Sequence, residues 1–115
     1  MRVIKVTTDN KIYIIDIDVN DVKVVHKEIG GFECVRTKEI HQFFHEHVTM
    51  IVDDNGFAKE KPLNIIASAL YGYGDIVGDV LFVPEEYGEF VEFFDVDAQC
   101  HYMNALNQIG VVALL

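Results

Sequence analysis

At 115 residues, half of them apolar, the chain has the size and the material of one domain with one core. Nineteen acidic residues stand against nine lysines and arginines, and the resulting net charge of −10 repels nucleic-acid phosphates. The longest apolar runs, such as the 110–115 tail, are far too short to span a bilayer, and Met1-Arg2-Val3-Ile4-Lys5 begins a strand-like alternation rather than a secretory signal. Nucleic acid and membrane are therefore set aside as direct partners, and a cytoplasmic location, bacterial or host-cell, is expected.

In chain order, Val3 to Thr8 and Ile12 to Asp18 form two strands joined by a tight turn at Asp9-Asn10. Asn20 is placed to cap a helix over Asp21 to Glu28, with Val22, Val25 and Ile29 at helical spacing and Gly30-Gly31 as its stop. Phe32 to Thr37 and His47 to Asp53 read as strands, and the segment between them, 38–46, reads as a polar loop or strand edge. Asp54-Asn55-Gly56 carries the signal of a type I′ turn. Pro62 opens a short helix running through Tyr71, with Asn64 as a capping residue. A strand follows from Ile76 to Val83, ending at Pro84, then another from Glu89 to Phe94 and a helix from Ala98 to Gln108 with Cys100, Met103 and Leu106 on one face. Hairpins predominate over strand–helix alternation, which predicts an α+β class: one layered domain over 1–115, an antiparallel or mixed sheet with two to three packed helices.

The lysines and arginines all fall at or before Lys61, whereas the chain beyond carries eight acids and no base. Glu85, Glu86, Glu89, Glu92, Asp95 and Asp97 crowd one stretch of it, a candidate acidic face for a basic protein. The plainer reading of such charge is solubility. Along the 63–71 helix the only polar positions are Asn64, Ser68 and Tyr71, at i, i+4 and i+7. That stripe either satisfies neighbouring backbone or, with Gly78 and Asp79, lines a pocket for a small molecule such as a nucleotide.

His41, His45 and His47 would present two imidazoles on one helical face were the segment helical, yet the H-E-x-x-H pattern of hydrolytic zinc sites is absent. They are weak metal candidates beside the reading of incidental histidines or a pH-sensitive surface. Cys34 and Cys100 form no C-x-x-C pair and are expected to be reduced and buried. The glycines of Tyr71-Gly72-Tyr73-Gly74-Asp75-Ile76-Val77-Gly78-Asp79 lack the spacing and the following lysine of a phosphate loop. Neither a nucleophile constellation nor a cofactor motif is present, so no enzyme activity and no cofactor are expected.

Several blocks resemble a known family. Val52-Asp53-Asp54-Asn55-Gly56, Pro62-Leu63-Asn64, Ala67-Ser68-Ala69-Leu70-Tyr71-Gly72, Ile76-Val77-Gly78-Asp79, Ile29-Gly30-Gly31-Phe32-Glu33-Cys34-Val35-Arg36 and Gly88-Glu89-Phe90-Val91-Glu92 are similar to the domain of unknown function DUF3846. The resemblance covers about residues 1–97 with its order preserved, leaving 98–115 as an added helix and apolar tail. It implies an accessory protein of a phage, plasmid or other mobile element, with an anti-defence role in view and no catalytic residues. Ile65-Ile66 stand where the family commonly carries basic residues, which argues against an anionic ligand there. The tail residues Val111, Val112, Leu114 and Leu115 are apolar enough to be expected either in the chain's own sheet or in a homodimer interface.

Overall fold

The structure, a computed structural model, describes residues 1–44 and 47–92 together with 104, 106 and 108. Strand β1 (Arg2–Val6) pairs antiparallel with β2 (Ile12–Asp16) across a turn in which Asn10 takes φ 64°, the left-handed conformation that Asn tolerates. Helix α1 (Val22–Ile29) follows, capped by the carboxylate of Asp21, one residue after the expected Asn20, and ended by Gly30 at φ 88°. Next come β3 (Glu33–Val35), α2 (Lys38–Phe44), β4 (Val48–Val52), α3 (Ile65–Tyr71), β5 (Val80–Glu86) and the short β6 (Glu89–Phe90). The sheet runs β2-β1-β5-β4-β3 with every pair antiparallel, and β6 folds back on β5. The α+β class holds, and β5, from the second half of the chain, is the central strand.

Alternation in β4 and β5 divides the interior into two layers. Val48, Met50, Val52, Val80 and Phe82 face Ile40 and Phe44 of α2 and Ile66, Ala67 and Leu70 of α3. Ile51, Leu81 and Val83 face Val25 and Ile29 of α1 on the other side. A sheet covered on both faces needs apolar residues at successive positions, which is why Met50-Ile51-Val52 and Val80-Leu81-Phe82-Val83 are unbroken apolar runs.

Four local expectations are corrected. Residues 38–44 are helix, not loop, because Ile40 and Phe44 fall one turn apart and both drop into the core, while the Thr37 hydroxyl accepts the Ile40 N–H at 3.3 Å. Asn55 and Gly56 do not take the positive φ of a type I′ turn; residues 54–60 form a run of successive turns. Gly56 is required there by close approach, since a Cβ would stand 2.8 Å from a methyl of Val77. β5 does not stop at Pro84. The Glu85 N–H donates to the His47 carbonyl at 2.7 Å, bracketing the Val48–Pro84 pair, so β4 asks no N–H of the proline. Cys34 is exposed, not buried, because it lies on the edge strand β3; partial desolvation of the thiol and the Glu85 charge still push its pKa up.

α3 begins at Ile65, with Asn64 as its cap. Leu106 is helical and buried against the α2–α3 layer. His45, Asp95, Asp97, Cys100, Met103 and the tail 111–115 lie outside the described residues.

Candidate functional site

The glycine, aspartate and asparagine blocks converge at the end of the sheet where α1 finishes. Asp53 follows β4 with its side chain fully shielded from solvent. Its carboxylate accepts from Lys59 Nζ at 2.8 Å, Lys61 Nζ at 2.7 Å and the Asn55 N–H at 2.9 Å. Burial alone would push this carboxyl up, but the two ammonium groups and the amide outweigh it and hold the pKa well below the usual carboxylate range. The same lysines donate to the Gly30 and Ile29 carbonyls at 2.9 and 2.8 Å, so they also satisfy the C-terminal end of α1. Gly31 is packed on this cluster; a Cβ there would come within 2.5 Å of Asp53 Oδ1 and 2.7 Å of its Cα.

Asn64 completes the junction. It is fully buried, its Oδ1 accepts the Ala67 N–H, and its Nδ2 donates to the carbonyls of Val6 and Gly78, each at 3.0 Å. Ser68 accepts the Ile76 N–H at 2.8 Å and its hydroxyl reaches the Asn64 carbonyl at 2.7 Å. These two polar positions therefore serve the backbone. Tyr71 is half-buried and its ring meets Tyr73 edge-on, 5.7 Å between centroids. Gly78, whose carbonyl Asn64 binds, and Asp79 line a small cleft of about 270 Å³ beside the junction, with Lys61, Thr8 and Glu28. Asp79 accepts the Thr8 N–H at 3.1 Å and lies 3.8 Å from Lys5, which in turn donates to Glu28 at 2.8 Å. The five residues of the expected pocket are thus divided among a buried junction, an aromatic pair and a charged cleft.

The acidic stretch is divided as well. Glu85 is largely buried and held by the Arg36 guanidinium and the Thr49 hydroxyl, the latter at 2.7 Å. Glu92 accepts the Arg2 N–H at 2.9 Å and lies 3.6 Å from the Arg2 guanidinium; that hydrogen bond and these charges keep its pKa low. Glu86 and Glu89 are left exposed and directly opposite each other across β5 and β6. Between them sits the turn Tyr87-Gly88, with φ 52° and 81°, and the Tyr87 residue is 98% exposed. Two local features here are unfavourable: like charges facing across a ladder, and a bulky aromatic in the left-handed region. Beside the turn is a hollow of about 430 Å³ lined by Arg36, His47 and residues 85–88.

The histidine group is partly assembled. His41 on α2 and His47 before β4 meet edge-on with ring centroids 5.1 Å apart. Among the described residues no three metal-binding side chains gather. Residues that sequence reasoning passed over act in different ways: Arg36 through a partner distant in the chain, Asp53 and Tyr73 through nearer ones that no motif announces, and Tyr87 through a turn conformation that Glu-Tyr-Gly-Glu does not announce.

The model of the family described as domain of unknown function DUF3846 matches residues 1–107. The chain belongs to the DUF3846 family. No curated protein and no solved structure matches the chain. The match takes in every residue of the junction and of the β5–β6 turn, as well as positions after 97. The DUF3846 description carries no catalytic assignment. No helix among the described residues is long and apolar enough to cross a membrane.

Proposed function

We propose that this DUF3846 protein is a non-enzymatic, cytoplasmic accessory protein of a mobile element that binds a basic protein surface through the β5–β6 turn. The observation that carries the reading is the turn itself. Glu86 opposes Glu89 while Tyr87, nearly fully exposed, is held left-handed between them. Strain retained at an exposed tip points to use of that tip. A lysine or arginine seated between the two carboxylates relieves their repulsion, and a tyrosine supplies the rigid anchor that carries most of the energy in many interfaces. Glu85 and Glu92 are occupied by Arg36 and Arg2, so the working surface is narrower than the whole acidic stretch.

The expected result is that the double variant Glu86→Lys, Glu89→Lys loses binding to a lysine- and arginine-rich peptide by about a hundredfold, with its melting temperature unchanged or raised. Binding by the wild type falls steeply with added salt, because attraction at an exposed site is screened over about 8 Å at physiological ionic strength. Equal binding by the double variant contradicts the proposal.

A further inference from the structure

We propose that a second cleft, between the start of α2 and Tyr73, binds a small aromatic phosphate of the nucleoside-monophosphate type. The cleft measures about 550 Å³ and is lined by Arg36, Thr37, Lys38, His41, Gln42 and Tyr73. That volume lies in the range of small-molecule sites.

Its lining divides by chemistry. Tyr73 is 72% exposed and braced by the edge-on Tyr71 ring, which makes it a fixed platform on which a base can stack. Lys38 has no ion pair among the described residues, unlike Arg36, which is held by Glu85 and by the Thr49 hydroxyl. It is the cation left for a phosphate. The Thr37 hydroxyl gives its one donor to the Leu70 carbonyl and accepts the Ile40 N–H, so it has no proton left to donate to a phosphate. His41 Nε2 is buried without a hydrogen-bond partner and is shielded from the cleft, so His41 contributes only ring surface to its wall. The exposed Gln42 amide supplies both a donor and an acceptor for the edge of a base.

The net charge selects size. A polyphosphate strand would meet the acidic field along its length, whereas a mononucleotide meets only the charges within about 8 Å, where Lys38 stands without an ion pair among the described residues and Arg36 is matched by Glu85. This site shares Arg36 with the hollow beside the β5–β6 turn but takes no residue of the turn itself, and it is independent of the reading given to that turn.

The test is calorimetric titration of the full chain with AMP, GMP, CMP and UMP, beside adenosine, ribose 5-phosphate and inorganic phosphate. At least one monophosphate is expected to bind with Kd of about 1 mM or tighter. Adenosine and ribose 5-phosphate are each expected to bind at least about tenfold more weakly, since each lacks one of the two recognised halves. Tyr73→Ala and Lys38→Ala are each expected to weaken binding by about tenfold. Both side chains are exposed, so unchanged melting temperatures serve as the folding control. The Glu86→Lys, Glu89→Lys variant should bind the nucleotide at least as tightly as wild type, which separates failure here from failure at the turn. No binding by any monophosphate, equal binding by inorganic phosphate, or full binding by both single variants overturns the proposal.

Discussion

Asp53→Asn is expected to lower stability by about 3 kcal/mol, a large share of the roughly 5–15 kcal/mol that holds a domain folded. The carboxylate is shielded from solvent and bound by two ammonium groups, and the amide that replaces it keeps the shape and loses the charge. Lys59 and Lys61 then remain beside the end of α1 with no ion-pair partner among the described residues. Their partial exposure, 46% and 24%, lets water relieve some of that penalty and sets the expectation near the lower end of the range for broken buried pairs. The pH dependence follows from the depressed pKa of Asp53. Its contribution is full above the unfolded carboxylate value of about 3.9 and is lost as pH falls through the lower folded value. Wild type and variant should therefore differ fully at neutral pH and converge only in strong acid. Urea unfolding across pH measures this directly. A difference below about 1 kcal/mol at neutral pH, the size of a surface pair, would remove Asp53 as the anchor of the junction.

Asn64 gives the second large effect. Asn64→Ala removes a helix cap worth about 1 kcal/mol and the two buried hydrogen bonds that Nδ2 donates to the Val6 and Gly78 carbonyls, each worth about 1 kcal/mol. The sum is about 3 kcal/mol. Asn64→Asp is the informative companion, because it keeps the acceptor for the Ala67 N–H and replaces both donors with a charge facing two carbonyl oxygens. If Asn64 only capped α3, Asp would rescue Ala. The structure predicts that Asp is no better than Ala, measured by urea unfolding, since Asn64 ties β1 and the 76–79 segment to α3 through its donors.

The hairpin at Asn10, the Gly30 stop of α1 and the cap at Asn64 were legible because each is a local event with a residue chosen for it. The apolar runs of β5 were legible for a related reason, although their central place in the sheet depends on β1 and β4, far away in the chain. Helix α2 was hidden by Lys38, Glu39, His41 and Gln42, whose polarity masks the Ile40–Phe44 pair that buries it. Asn55-Gly56 carries a local turn preference that the packing of Val77 on Gly56 overrides. The candidate sites were less legible still. Arg36 neutralises Glu85 from 49 positions away, and Asp53 finds its cations six and eight residues on, so a count of charges saw one broad acidic face. Among the described residues of that stretch, the exposed carboxylates without an ion pair are the narrower pair Glu86 and Glu89 around Tyr87.

That narrowing supplies the most direct test of the binding reading. Any chain with a net charge of −10 attracts a basic peptide to some extent, so charge reversal alone cannot tell a dedicated surface from a general field. Tyr87 is formally neutral at pH 7, and its replacement leaves the field untouched. The decisive measurement is amide chemical-shift titration of wild type and Tyr87→Ala with the same lysine- and arginine-rich peptide at physiological salt. A dedicated turn predicts shifts concentrated at residues 85–90 and about a tenfold loss of affinity in Tyr87→Ala, the truncation effect of an anchor residue. Shifts spread over the exposed acids of the whole chain, with equal affinity in the two proteins, would contradict it.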